Sequence, residues 1–69
     1  MSQKVEIETE FITVGQFLKE VGIIGTGGQA KWYLKENSIE VNGEPEDRRG
    51  KKLYKGDKIV AEDQTFEIA

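Results

Sequence analysis

The 69-residue sequence contains no cysteine and no histidine. The absence of cysteine excludes disulfide bonds and thiolate chemistry, and the absence of histidine removes the commonest general base and the commonest neutral metal ligand. A chain this short buries only about 60% of the surface that its unfolded form exposes, so an active-site cavity would compete with a small core. We therefore expect one domain over residues 1–69 that is not an enzyme and requires no cofactor or metal.

The sequence also lacks long apolar runs. No stretch is long enough to span a bilayer, and no apolar segment of the signal-peptide kind is present. We therefore expect a cytoplasmic protein with no membrane partner, and we expect it to be a monomer.

Positive charge is scarce overall but concentrated in one segment. The formal net charge is -3, yet residues 48–58 hold six cations and one anion, while the segments on either side are acidic. Exposed charges are screened beyond roughly 10 Å at ordinary salt, so a local basic patch on an acidic chain can still bind phosphate.

Two short helices are predicted in the first half of the chain. Thr13 and Gln16 have the spacing of a capping box, and an apolar stripe at helical spacing follows over residues 14–21. Gly22 then provides a natural C-terminal cap. The same capping-box spacing recurs before a second helix, which is predicted from about residue 27 to 37.

The remaining apolar residues alternate as they do in strands. A strand is predicted around residues 5–7, and Asn42-Gly43 is the strongest two-residue signal for a hairpin. Residues 59–61 and 66–68 predict a final strand pair, which we expect beside the N-terminal strand. The order β-α-α-β-β-β-β indicates an α+β fold, with two short helices packed on a small, twisted, mainly antiparallel sheet.

One candidate site lies at the glycine-rich approach to the second helix, residues 25–28. The first N–H groups of a helix have no internal partner, and glycines let a phosphate approach the backbone closely. Lys31 and Lys35 would extend this positive surface. The alternative is that the glycines only permit a tight corner between helices.

The second candidate site is the basic loop, residues 48–52, with the sequence Arg-Arg-Gly-Lys-Lys, followed by Lys55 and Lys58. Arginine binds phosphate oxygens in a bidentate way and lysine acts as a point charge. The alternative is a solvated loop that is neutralised by the acidic residues just upstream, Glu44, Glu46 and Asp47. We favour binding to a phosphate backbone because the run lies in a turn between strands, not in a tail.

Other residues allow weaker interpretations. Trp32, Tyr33 and Tyr54 could stack on bases, but in a small domain such residues are more often buried, as we expect for the two tyrosines. Asp57 follows a glycine before a strand, which is typical of a turn. The carboxylates at 44, 46 and 47 lack the spacing of a calcium loop.

Three segments together resemble the S4-type RNA-binding domain. They are F-L-K-x-V-G-I-I-x-x-G-G-Q-A-K over residues 17–31, I-E-V-N-G-E over 39–44, and R-R-G-K-K-L-x-K-G-D-K-I over 48–59. The resemblance covers nearly the whole chain, which is similar to the short stand-alone bacterial members of the YaaA and YbcJ type. Each motif alone is weak, but their combination is fairly specific.

The resemblance implies recognition of structured RNA, such as ribosomal or transfer RNA, with ribosome assembly or translation as the setting. Carried over from the family, the contacts would fall on Thr26, Gly27, Gly28, Gln29, Lys31, Arg48, Arg49, Lys51 and Lys52. The charge pattern adds Lys35 and Lys55 to this set.

The chain departs from the family pattern at two places. Many members begin the first helix with Arg-Leu-Asp, where this chain has Thr13-Val14-Gly15, and many have Ser-Arg where it has Thr26-Gly27. Either the basic loop compensates for these two missing arginines, or the affinity or the RNA target differs.

The alternative function is a small protein-interaction adaptor that uses acidic faces. These faces comprise Glu6, Glu8, Glu10, Glu62, Asp63 and Glu67. Salt separates the two functions, because phosphate binding weakens steeply as counterions are released, whereas an apolar protein contact does not.

Overall fold

The computed structural model describes residues 2–69, which form two helices and seven strands. Helix α1 is Val14–Glu20 and helix α2 is Ala30–Glu36, which is preceded directly by a 3₁₀ turn, Gly27–Gln29. The strands are β1 (Ser2–Val5), β2 (Phe11–Thr13), β3 (Ile39–Val41), β4 (Glu44–Glu46), β5 (Lys52–Tyr54), β6 (Lys58–Ala61) and β7 (Gln64–Ile68). Neither helix of this described range has the length and apolar character that crossing a membrane requires.

The main sheet has five strands in the order β1-β7-β6-β3-β4. Its pairs are antiparallel except β1 with β7, so the predicted α+β fold with a mainly antiparallel sheet is confirmed. The N-terminal strand does join the final pair, but it covers Ser2–Val5 and not residues 5–7 as predicted. Its register places Val5 opposite Ile68, and the partner strand ends there.

The prediction missed a second, two-stranded sheet in which β2 pairs antiparallel with β5. Each strand is only three residues long, which is too short for an alternating pattern to be recognised in the sequence. This small sheet is important for the site because β5 begins at the end of the basic loop and β2 leads directly into α1.

The predicted ends of α1 are confirmed. The Gln16 N–H donates to Thr13 Oγ1 at 3.2 Å, and Gln16 Oε1 accepts from the Thr13 N–H at 2.9 Å. Both bonds satisfy donors at the helix start that have no partner within the helix. Gly22 then ends the helical segment with a φ of 81°, which glycine adopts at little cost.

The predicted Asn42-Gly43 hairpin is also confirmed, with φ values of 53° and 86° between β3 and β4. The Asn42 side chain donates to Asp57 Oδ1 at 3.1 Å and accepts from the Lys58 N–H at 2.9 Å. The other Asp57 oxygen accepts from the Tyr54 N–H at 2.8 Å. Asp57 therefore has the turn role that its position predicted.

One hydrophobic core joins the helices to both sheets. Phe17 of α1 meets Phe66 of β7 edge-on, with ring centroids 5.1 Å apart, and both are buried. Tyr33 is half-buried against this core, and its hydroxyl donates to Glu62 Oε1 at 2.8 Å. The expectation that Tyr54 is buried was wrong, because the pleat of β5 turns Leu53 inward and leaves Tyr54 44% exposed.

Candidate functional site

The basic loop is bonded through its backbone to the start of α1. The Val14 N–H donates to the Lys51 carbonyl oxygen and the Gly15 N–H donates to the Arg49 carbonyl oxygen, both at 2.9 Å. The first N–H groups of a helix need partners outside the helix, and here the loop supplies them. The loop therefore has a fixed shape that does not depend on its own charged side chains.

The β2–β5 pair holds the loop from its other end. Thr13 lies opposite Lys52 and Ile12 lies opposite Leu53, whose side chain is fully buried. Because side chains alternate along a strand, this register leaves Lys52 facing outward. On this loop, which is anchored at both ends, Arg48, Arg49 and Lys52 are exposed and Lys51 is half-buried.

Gly15 brings the basic loop next to α2. A Cβ atom added at Gly15 would lie 3.5 Å from the Arg49 carbonyl oxygen and 3.5 Å from Ala30 Cβ. Ala30 is the first residue of α2, so the loop backbone and the start of α2 flank the same glycine. The structure therefore brings together the two sets of residues that the sequence identified separately.

Within the loop, Arg48 is paired while the other cations are not. Its Nε lies 3.0 Å from Glu46 Oε2 and its Nη2 lies 3.2 Å from Glu46 Oε1, a bidentate arrangement. Hydrogen bonding from Arg48 holds the pKa of the Glu46 carboxyl below its ordinary value of 4.5. Over residues 2–69 no other ion pair forms within 4.0 Å, so Arg48 is the one loop cation that an upstream acid pairs directly.

The start of α2 is exposed, and part of its hydrogen-bonding capacity is already used. Gln29 Oε1 accepts from the N–H groups of Gly25 and Thr26, at 2.6 Å and 3.0 Å, which confirms the predicted return bond of the capping box. In the described part of the chain, the N–H groups of Gly27 and Gly28 have no protein acceptor. These two groups are therefore the backbone donors left for a ligand.

The cations of α2 lie on its outer side. Lys31 and Lys35 are exposed, one turn apart, while Ala30 and Leu34 are buried. Lys35 Nζ lies 5.6 Å from the centroid of the Trp32 ring, which is itself 62% exposed.

Lys55 is the predicted residue that the structure does not bring to the loop. Strands rise by about 3.3 Å per residue, so Lys55 lies roughly 10 Å along β5 from Lys52, in the turn at the far end.

Lys52 itself lies over Phe11, with Nζ 4.8 Å from the ring centroid, and Phe11 in turn packs against Tyr54 with centroids 5.8 Å apart.

Sequence reasoning did not identify Gly15 or Phe11 as part of this region. Gly15 carries no local signal, because its neighbours Arg49 and Ala30 are distant in the sequence. Arg48 lies beyond the last residue of β4, so the alternation of a strand did not identify Glu46 as its partner among the upstream acids.

An acidic groove borders the basic loop at Phe11, which lines the groove and over whose ring Lys52 lies. Residues 6–12 and α1 border an open groove whose lining includes the carboxylates of Glu6, Glu8, Glu10 and Glu20. No cluster of three such groups within residues 2–69 is arranged to hold a metal ion. Of the second predicted acidic face, Glu62 is engaged by the Tyr33 hydroxyl.

Comparisons with known proteins identify the family of this chain. A relative from Bacillus subtilis (strain 168), named "Probable ribosome maturation protein RlbA", is 52% identical over 62 residues, which cover 90% of this chain and 87% of the relative. The family model described as the S4 domain matches residues 5–69. This range takes in both helices, the basic loop and every strand from β2 to β7, so the chain belongs to the S4 domain family.

Proposed function

We propose that this chain is a non-catalytic protein that binds structured RNA, ribosomal or transfer RNA, through the basic loop and the start of α2. The observation that carries this proposal is the pair of backbone bonds from Val14 and Gly15 to the loop carbonyls. These bonds fix a cluster of unpaired cations beside α2. Membership of the S4 domain family and the name of the Bacillus subtilis relative support ribosome assembly or translation as the setting, in the cytoplasm.

The basic loop would bind the RNA backbone through its cations. Arg49 offers a planar fork that fits two phosphate oxygens, while Lys51 and Lys52 act as point charges. Because the loop backbone is already held by α1, binding would order only these side chains, and less conformational entropy would be lost.

The start of α2 would receive a neighbouring phosphate. Gly27 and Gly28 are exposed and have N–H groups available, while Thr26 and Gln29 maintain the turn that presents them. On the outer side of α2, Lys31 and Lys35 would extend the contact along the same backbone, and Lys55 would bind further along the RNA. A-form RNA is recognised mainly through shape and backbone, which suits a surface with few groups able to read bases.

Arg48 would join the contact by exchanging its partner. In the structure its guanidinium is held by Glu46, on the edge strand β4. An RNA phosphate presents the same kind of acceptor, so Arg48 would bind it at the expense of the Glu46 bond. Arg48 should therefore contribute less to affinity than Arg49.

A salt titration with two RNAs of equal length, a hairpin and a single strand, tests the proposed function. Binding measured by fluorescence anisotropy should favour the hairpin and weaken steeply with salt, each phosphate contact adding roughly 0.7–0.9 to the log–log slope. Absence of binding to either RNA would contradict the proposal. It would favour the adaptor function and direct attention to the acidic groove beside α1.

A further inference from the structure

Trp32 is the single tryptophan of the chain, and at 62% it is the most exposed of the large hydrophobic side chains in the described range. It lies on α2 across from the buried residues Ala30 and Leu34. Leaving an indole ring in water forgoes the hydrophobic stabilisation that burial gives the other large side chains. The ring is therefore available to a partner that would cover it.

The surroundings of Trp32 are basic on the side that faces the proposed RNA surface. Lys31 is its neighbour in the chain, and Lys35 Nζ lies 5.6 Å from the ring centroid. Side chains on a helix lean toward its N-terminus, so the ring extends toward Gly28, whose N–H group is available to a ligand. Glu36, four residues after Trp32, is an anion on the same face of α2, one turn further along.

We propose that Trp32 stacks on an unpaired nucleobase, so that the preferred ligand is an RNA duplex with an unpaired nucleotide beside it. This inference rests on the proposed function and specifies its ligand. Every base presents a π face, and aromatic rings beside a cationic backbone site are how proteins hold unpaired nucleotides. Trp32 thus supplies the base contact that the loop and the start of α2 lack.

The distance between the Trp32 ring and the basic loop suits a duplex with an unpaired nucleotide beside it. A helix with its side chains is about 10–12 Å across, and Ala30 on its inner side adjoins the basic loop. The ring is therefore separated from the loop cations by roughly the width of a helix, a distance that a few nucleotides of RNA can span. A duplex backbone on the loop can therefore continue into an unpaired base on Trp32.

Tyr54, the other strongly exposed aromatic, is less suited to this role. Its ring is partly covered by Phe11, with centroids 5.8 Å apart. Phe11 also lines the groove that carries Glu8 and Glu10, so negative charge there offsets the positive charge of Lys52 over the Phe11 ring.

Two RNA hairpins with one stem sequence test the proposal, one blunt and one extended by a short run of unpaired adenosines at either end. For the unaltered chain, the extension should tighten binding by roughly 5- to 150-fold. Because Trp32 is the single tryptophan, its fluorescence should be quenched by the extended hairpin and not by the blunt one.

Substitutions of the exposed ring separate stacking from charge. Trp32→Ala should bind the extended hairpin only as tightly as the unaltered chain binds the blunt one, with an unchanged salt slope. Trp32→Phe should retain most of the preference. Val60→Ala, an exposed hydrophobic position on β6, is the matched control and should change nothing.

The inference would be overturned if Trp32→Ala retained the preference, if Trp32→Ala weakened both hairpins equally, or if the extended hairpin left tryptophan fluorescence unaffected. If the unaltered chain binds both hairpins equally and with steep salt dependence, stacking fails while the proposed function stands. If it binds neither hairpin, both fail. If Trp32→Ala lost binding to another protein and kept its RNA binding intact, the ring would be assigned to a protein partner and the inference would fail.

Discussion

The Gly15 amide donates a hydrogen bond to the Arg49 carbonyl oxygen at 2.9 Å. This bond joins the first turn of α1 to the centre of the basic loop, and the same glycine packs against Ala30 at the start of α2. One small residue thus lies where the two parts of the proposed RNA-binding surface meet. The shape of that surface is set by backbone contacts, and its chemistry is set by exposed side chains.

Substitution of Gly15 tests this meeting point. An alanine Cβ would make ordinary contacts at 3.5 Å, so Gly15→Ala should keep RNA affinity and raise helix stability by up to about 1 kcal/mol. Gly15→Leu should overpack the junction, lower the free energy of unfolding by about 1–3 kcal/mol and weaken RNA binding. Urea unfolding measures the free energy of unfolding of each variant, and fluorescence anisotropy measures its RNA affinity. Unchanged stability and affinity in Gly15→Leu would argue against the junction.

Removal of the charge at Glu46 should free Arg48. Because Glu46 holds the guanidinium in a bidentate arrangement, Glu46→Gln should tighten RNA binding and steepen its salt dependence by about one phosphate contact. Glu44→Gln removes the same charge from the same strand, β4, without touching Arg48, and serves as the control. Equal effects of the two substitutions would mean that net charge, not the release of Arg48, changes the affinity.

Titration of Tyr33 should affect stability at high pH. Burial, with the hydrogen bond to Glu62 and its negative charge, raises the pKa of Tyr33 from 10.0 to about 12. The unfolded chain therefore loses this proton first, so the stability contributed by the neutral hydroxyl is complete below pH 10.0 and is lost as the pH rises toward 12. Ultraviolet titration of the phenolate, compared with Tyr33→Phe, isolates this group. Glu62→Gln should lower the pKa of Tyr33, and an unchanged value would exclude Glu62 as a cause.

The β6–β7 turn contains backbone strain that a substitution can relieve. Glu62 and Asp63 have φ values of 52° and 60°, in the left-handed region that favours glycine and asparagine. Asp63→Gly should therefore raise the free energy of unfolding by about 0.5–1.5 kcal/mol and leave the Glu62–Tyr33 bond in place. Gly43→Ala, at a φ of 86° in the other tight hairpin, should have the opposite effect. A destabilised Asp63→Gly variant would contradict this account.

The parts of the fold that the sequence predicted depend on neighbouring residues. Thr13 and Gln16 bond across three positions, and Asn42-Gly43 encodes its own turn, so both are visible in a short window. The β2–β5 pair joins Phe11 to Tyr54, and nothing near either residue indicates that register. The exposure of Tyr54 follows from it and was therefore predicted wrongly.

The candidate site was likewise predictable only in the features that neighbouring residues encode. Its cations and glycines were evident from composition and spacing, but their juxtaposition depends on contacts of Gly15 with Arg49 and Ala30, which are distant in the sequence. The spacing also could not distinguish which upstream acid neutralises which cation. The geometry assigns Glu46 to Arg48 alone.

The salt dependence of RNA binding by Arg49→Gln/Lys51→Gln tests the central claim most directly. Lys4→Gln/Lys19→Gln, which removes two exposed cations far from the loop in the sequence, is the matched control. If the basic loop grips the phosphate backbone, the loop variant should bind more weakly and its log–log slope should fall by roughly 1.4–1.8, while the control keeps the slope of the unaltered chain. An unchanged slope in the loop variant, or an equal fall in the control, would contradict the claim.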